Sequence, residues 1–122
     1  MAQDFHDLKV WQKAIDLTTC VYKLTRSFPR EEAYGLVSQM RRSSVSVASN
    51  IAEGRGRLNR AEFRQFLGVS QGSLFELKTQ LQVARNLRMA KDEQFTEGEH
   101  LGGEVSKMLR AFIQALNTRT KG

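Results

Sequence analysis

The chain has 122 residues, with one proline, one cysteine, and 19 lysines and arginines against 13 aspartates and glutamates, a formal net charge of +6. That length holds one domain with one core and leaves no room for a second. The single cysteine, Cys20, excludes an internal disulfide framework; the polar start Met1-Ala2-Gln3-Asp4 has neither the basic nor the apolar region of a signal peptide; and no apolar run approaches the roughly 18 residues of a membrane span. The cytoplasm is the expected location, no membrane partner is expected, and the positive surplus bears on partners rather than on fold.

The only proline, Pro29, leaves long stretches without a strong breaker, which favours helices over strands. The predicted fold is all-α: a single domain over 1–122, an antiparallel up-down-up-down four-helix bundle assembled as a symmetric oligomer, with helices near 8–28, 32–53, 60–88 and 93–117.

The first helix carries Val10, Ala14, Leu17, Val21, Leu24 and Phe28 at alternating spacings of four and three, the seam of a packed helix. A second row, Leu8, Trp11, Ile15, Thr18 and Tyr22, widens the apolar arc to roughly 140°, more than one core face requires. Part of this helix is therefore expected to meet another subunit. Cys20 falls on its polar side, and Phe28-Pro29 ends it because proline disfavours helix in the residue before it.

The second helix buries Leu36, Met40, Val47 and Ile51, with Ser43, Ser44 and Ala48 among them, and Gly54 is the expected left-handed stop. Beside that face Gln39, Arg42, Ser46, Asn50 and Glu53 form a narrow polar stripe. A solvated edge is one reading of it. Neither Arg41 nor Arg42 has an acid three or four residues away, so an intrahelical pair is excluded, and Glu76 on the third helix is the preferred partner for Arg42.

The third helix starts with Asn59 as N-cap, Glu62 as the reciprocal partner and Leu58 with Phe63 as a hydrophobic staple. Its core row is Phe63, Leu67, Ser70, Leu74, Leu77, Leu81 and Ala84. On its back lie Gly68, Gly72 and Phe75, and two helical glycines cost about 1 kcal/mol each relative to alanine. Close approach by another subunit offsets such a cost, so Trp11, Gly68, Gly72 and Phe75 are candidate interface residues, a ligand slot being the alternative. The fourth helix, capped by Asp92, buries Leu101, Val105, Leu109, Phe112, Ile113 and Leu116, and the end from Asn117 is expected to fray.

Charge is uneven along the chain. From Arg41 to Arg64 arginines face only Glu53 and Glu62, whereas Asp92, Glu93, Glu97, Glu99 and Glu104 face no base within their own segment. The connector bearing Arg55, Arg57 and Arg60, with Arg64 one turn on and Arg41 upstream, is the candidate phosphate contact, since arginine presents a forked donor and helix N-terminal amides add to the attraction. An ordinary solubilising loop is the competing account. No aromatic RNA-recognition platform or helix-turn-helix pattern is present, so binding of RNA or DNA would be backbone-directed and salt-sensitive.

Catalytic readings fail on composition. Glu97 and His100 form one Glu-x-x-His, but a di-iron bundle needs two of them plus two further glutamates. Gly54-x-Gly56 lacks the strand and third glycine of a dinucleotide loop, and no histidine stands near Cys20 in sequence. No catalytic residue, metal or cofactor is expected.

Gln39, Arg42, Asn50, Glu53, Gly54, Glu62, Phe63, Gly72, Ser73 and Glu76, with Phe28-Pro29 and Tyr34-Gly35-Leu36, resemble the motif of the four-helix-bundle family encoded by intervening sequences in bacterial 23S ribosomal RNA genes. Accessory proteins of diversity-generating retroelements are relatives. The resemblance covers nearly the whole chain and implies a homopentamer of bundles around a five-fold axis. In the retroelement relatives it implies a basic platform for nucleic acid and a polymerase partner. This chain departs from the pattern at Ser43-Ser44, where alanines are more usual, and at the turn Arg88-Met89-Ala90. The competing function is a protein-interaction scaffold with no nucleic-acid partner.

Overall fold

The computed structural model describes residues 4–121. Four helices, α1 (Lys9–Thr25), α2 (Leu36–Arg55), α3 (Arg60–Asn86) and α4 (Asp92–Lys121), make up most of the chain, with short 3-10 turns at Phe5–Asp7 and Arg30–Glu32. They close a four-helix bundle in which α1 packs on α2, α2 on α3, α3 on α4 and α4 back on α1. No strand occurs among the described residues.

The apolar rows meet in the centre. Val10, Ala14, Leu17, Val21, Leu24 and Phe28 are buried, as are all seven residues from Phe63 to Ala84 in the α3 row. On α2, Ser43, Ser44 and Ala48 are buried beside Met40, Val47 and Ile51, small side chains at the faces where α1 and α3 each pack on α2. Hydroxyls in this region are satisfied across helices: Thr18 donates to the Ser44 carbonyl at 3.0 Å and Ser70 to the Val47 carbonyl at 2.7 Å. Phe95, absent from the expected row, is fully buried, its ring 6.1 Å from that of Phe28.

The helix ends depart from expectation for local reasons. α1 stops at Thr25, before Phe28, and the Phe28 amide closes a turn onto the Thr25 carbonyl at 3.2 Å. α2 starts at Leu36, where the Glu32 carboxylate accepts the Leu36 amide at 3.4 Å. Gly54 is no left-handed stop: the helix runs through it to Arg55, and no glycine among the described residues has positive φ. Its role is steric, because a Cβ at Gly54 would fall 2.6 Å from the Phe66 Cβ and 3.1 Å from Phe63 Cδ1.

At the start of α3 the Asn59 Oδ1 accepts the Glu62 amide at 2.9 Å, as the cap requires. The staple does not form. Phe63 is taken by α4, meeting Phe112 edge-on at 5.2 Å, and Leu58 is fully exposed at 101%. α3 ends in a Schellman turn: Arg88 adopts φ 55°, the Met89 amide donates to the Ala84 carbonyl at 3.1 Å and the Arg88 amide to that of Arg85 at 3.0 Å. Asp92 lies inside the first turn of α4 and is not its cap; the Gln94 Oε1 instead accepts the Lys91 amide at 2.9 Å. The α4 backbone is helical through Asn117 to Lys121, and the last residue of the segment expected to fray, Gly122, lies outside the described residues.

Candidate nucleic-acid interface

The basic connector joins the C-terminus of α2 to the N-terminus of α3 at one end of the bundle. Arg55, in the last turn of α2, complements the negative end of the helix dipole and holds its guanidinium 6.0 Å from the Phe63 ring centre. Arg57 lies over the Phe66 ring at 4.6 Å and pairs with Glu53 at 3.6 Å. An aromatic support of this kind fixes the plane of a guanidinium while leaving its edge donors free. Arg64 donates to the Asn117 Oδ1 at 3.0 Å.

Arg60 differs from these three. It is the first residue of α3, exposed, and among the described residues it makes no hydrogen bond or ion pair. A cation at a helix N-terminus sits at the unfavourable end of the dipole, so Arg60 and the nearby amides add to a positive potential that Glu62 in the same turn offsets in part. Arg55, Arg57, Arg60 and Arg64 thus share one end of the molecule. Arg41 does not join them: fourteen residues before Arg55 on the same helix, it lies about 21 Å along the axis. Its guanidinium packs over Tyr22 at 4.6 Å and donates to Thr25 Oγ1 at 3.0 Å, which ties α2 to α1.

The polar stripe resolves into a seam between α2 and α3. Ser43 Oγ donates to Glu76 Oε1 at 3.0 Å and the Ser46 and Ser73 hydroxyls meet at 2.8 Å across the two helices, while within α2 Asn50 Nδ2 donates to the Ser46 carbonyl at 2.8 Å. The expected Arg42–Glu76 pair is absent: Arg42 is exposed and has no ion-pair partner among the described residues. Adjacent helical residues point about 100° apart, and it is Ser43 that faces α3. Gln39 also lies on the exposed side, while Glu53, Gly54, Glu62 and Phe63 surround the connector.

An ion pair that does link α3 to another helix is one that sequence reasoning missed. Arg85 on α3 grips Glu99 on α4 with two parallel hydrogen bonds of 2.9 and 3.0 Å, and reaches the Asp92 carboxylate at 3.2 Å. The Glu99 hydrogen bond pushes the arginine pKa still higher. Asp92 to Glu104 is an acidic run whose base lies just upstream on α3, and that was the available signal. Glu104 in turn meets Lys13 of α1 at 3.3 Å and His100 at 3.6 Å, so His100 pairs with Glu104 and not with Glu97.

Three further features lie outside the connector. Gly68 and Gly72 are exposed, a Cβ at either would meet nothing within 4 Å, and Phe75 is 49% exposed, so no described residue covers that face. Trp11 is half-buried between Phe5 and the α1–α2 groove of about 300 Å³, where Ile15 and Val45 are also exposed. Cys20, expected on a polar side, is buried against Gly98, and burial pushes its thiol pKa up, with Glu97 adding to the shift. It lines a cleft of about 420 Å³ between α1 and α4 with Asp16, Lys23 and Glu97. No cluster able to hold a metal ion occurs among the described residues, nor is any helix there long and apolar enough to cross a membrane.

Fold and site together define a small all-α bundle with an arginine-bearing turn at one end and a polar α2–α3 seam. The chain belongs to the family described as 23S rRNA-intervening sequence protein, whose model matches residues 6–111. The structure is similar to the crystal structure of a protein of unknown function from the S23 ribosomal protein family of Bacteroides thetaiotaomicron VPI-5482, with 22% identity and a TM-score of 0.79 over 86% of this chain and 95% of that one. That likeness speaks to the fold. No curated protein matches the chain.

Proposed function

We propose that this protein is a non-catalytic, oligomeric nucleic-acid-binding module of the cytoplasm that holds structured RNA or DNA by its backbone through the α2–α3 turn. The observation that carries the reading is Arg60, exposed at a helix N-terminus with no ion-pair partner among the described residues, beside Arg55 and Arg57 whose guanidinium planes are propped on Phe63 and Phe66, Arg57 being also paired with Glu53. A phosphate oxygen is the ligand that fits forked donors beside helix N-terminal amides. Catalysis has no support from the one Glu-x-x-His, since His100 turns to Glu104, or from Cys20, whose buried thiol is disfavoured as a thiolate. The reading needs no cofactor.

The up-down-up-down topology is supported by contacts that run in opposite order along neighbouring helices. Gly54 lies against Phe66 and Ser43 against Glu76; Thr18 against Ser44 and Thr25 against Arg41; Arg64 against Asn117 and Arg85 against Glu99. Oligomerisation, as a pentamer, is supported by two uncovered apolar surfaces, the α1–α2 groove at Trp11, Ile15 and Val45 and the α3 ridge at Gly68, Gly72 and Phe75. A ring would multiply one weak patch into an avid face. A polymerase is the protein partner that the family resemblance suggests.

Filter binding tests the reading. The parent should retain duplex or structured RNA at about 50 mM salt and lose it steeply as salt rises. Arg55→Gln, Arg57→Gln and Arg60→Gln together should weaken retention evenly across sequences. The α3 ridge favours the rival, a protein-interaction scaffold without nucleic acid; absent retention by the parent, or unchanged retention by the triple variant, would put it ahead.

A further inference from the structure

Leu58 stands at the apex of the arginine-bearing turn, fully exposed, between Arg57 and Arg60. A lone exposed leucine is ordinary. This one is unusual in being held out by a turn that is fixed on both sides. Before it, the Gly56 amide donates to the Ala52 and Glu53 carbonyls at 3.3 and 3.2 Å, the Arg57 amide donates to the Gly54 carbonyl at 3.0 Å, and the Arg57 guanidinium is pinned by Phe66 and Glu53. After it, the Asn59 side chain caps α3 at 2.9 Å. Phe63, the staple partner expected for Leu58, packs edge-on against Phe112 of α4, and Leu58 stands fully exposed.

We infer that Leu58 is an apolar wedge that enters a base step of a nucleic-acid duplex while Arg57 and Arg60 hold phosphates on either side of it. The inference rests on the nucleic-acid reading above and deepens it by naming a stacked duplex as the ligand and unstacking as the consequence. An apolar side chain inserted from a rigid, cation-flanked tip partly unstacks and kinks a duplex, most easily at flexible pyrimidine–purine steps. The charge of Arg60 favours this ligand over an apolar protein pocket, which would leave that arginine without an anion, whereas Arg57 already has Glu53 beside it. One leucine also removes too little apolar surface from water to hold a protein on a membrane, which takes stronger anchoring.

The test uses a short duplex, as DNA and as RNA, with 2-aminopurine placed at a TA or UA step. Binding of the parent at low salt should raise the 2-aminopurine fluorescence in at least one of the two. Leu58→Ala should abolish the rise and weaken binding about tenfold, with the slope of log affinity against log salt unchanged because the phosphate contacts remain. Leu58→Met, which keeps an apolar wedge, should restore both. If Leu58→Ala keeps the parent's affinity and fluorescence rise, the wedge is overturned while the phosphate-binding reading stands. Failure of the parent to bind either duplex removes both. Loss of Leu58→Ala binding to vesicles containing anionic phosphatidylserine, with duplex binding untouched, would assign the leucine to a lipid surface and overturn the wedge.

Discussion

The backbone of Gly54 runs so close to Phe66 that a Cβ on the glycine would fall 2.6 Å from the Phe66 Cβ. This contact sets how tightly the end of α2 docks on α3, and hence where Arg55 and Arg57 sit over their rings. Gly54→Ala gains up to about 1 kcal/mol of helix propensity, but the clash involves atoms fixed to two helix backbones and must push them apart. The expected outcome is a net loss of about 1–3 kcal/mol in denaturant unfolding. A stabilised variant would show that the helices part at little cost.

Arg85 and Glu99 are joined by two hydrogen bonds across α3 and α4, with the guanidinium also 5.5 Å from the Phe95 ring. Arg85→Lys keeps the charge and loses the fork, so the urea midpoint should fall. Glu76 serves as the control: its partner is a neutral serine and it is exposed, so Glu76→Ala should change stability by less than about 1 kcal/mol. Reversal of that order in urea melts would return the interhelical pair to Glu76.

Arg88 is the one non-glycine residue with positive φ among the described residues, and its side chain enters no described ion pair. Arg88→Gly should relieve left-handed strain of about 1–2 kcal/mol, offset in part by the freer unfolded chain, for a net gain of about 0.5–1 kcal/mol. A lower melting temperature would mean that the turn needs the arginine side chain.

Phe75→Glu places a charge on the uncovered α3 face while leaving every core side chain in place. Helicity by circular dichroism should be unchanged, and light scattering should report a smaller particle than the parent. A parent that scatters as a monomer at micromolar concentration would leave Gly68, Gly72 and Phe75 without an interface.

Cys20 provides a probe of the α1–α4 contact. Its thiol is buried and its pKa raised first by burial and then by Glu97. Because the thiolate is the reactive form, alkylation in the native protein should be slow at neutral pH and should accelerate only above the ordinary thiol range. Unfolding in urea should make it fast. Rapid native alkylation would place the thiol on an open surface.

Four helices, the core rows of α1 and α3 and the Asn59 cap could be read from the sequence because each is written in local periodicity, whereas the α4 row missed Phe95 and took in Leu101, Phe112 and Ile113, which are only half-buried. Leucines and valines at spacings of three and four define a helix face wherever that helix packs, and an asparagine three residues before Glu62 caps its own chain. The basic connector was legible for the same reason, being contiguous. Other features turned on the rotation and axial register of one helix against another. Those decided that Ser43 faces Glu76 while Arg42 faces water, that Arg85 meets Glu99, that Cys20 is covered, and that Gly54 answers to Phe66 rather than to its own dihedral angles. A rotation of one residue is about 100°, enough to exchange a buried partner for solvent, and no local pattern fixes an angle between two helices to better than that. The sequence by itself determined which surfaces are apolar and where the charge lies; only tertiary packing chose which polar side chains meet, which glycine admits a neighbour, and which leucine is left standing in water.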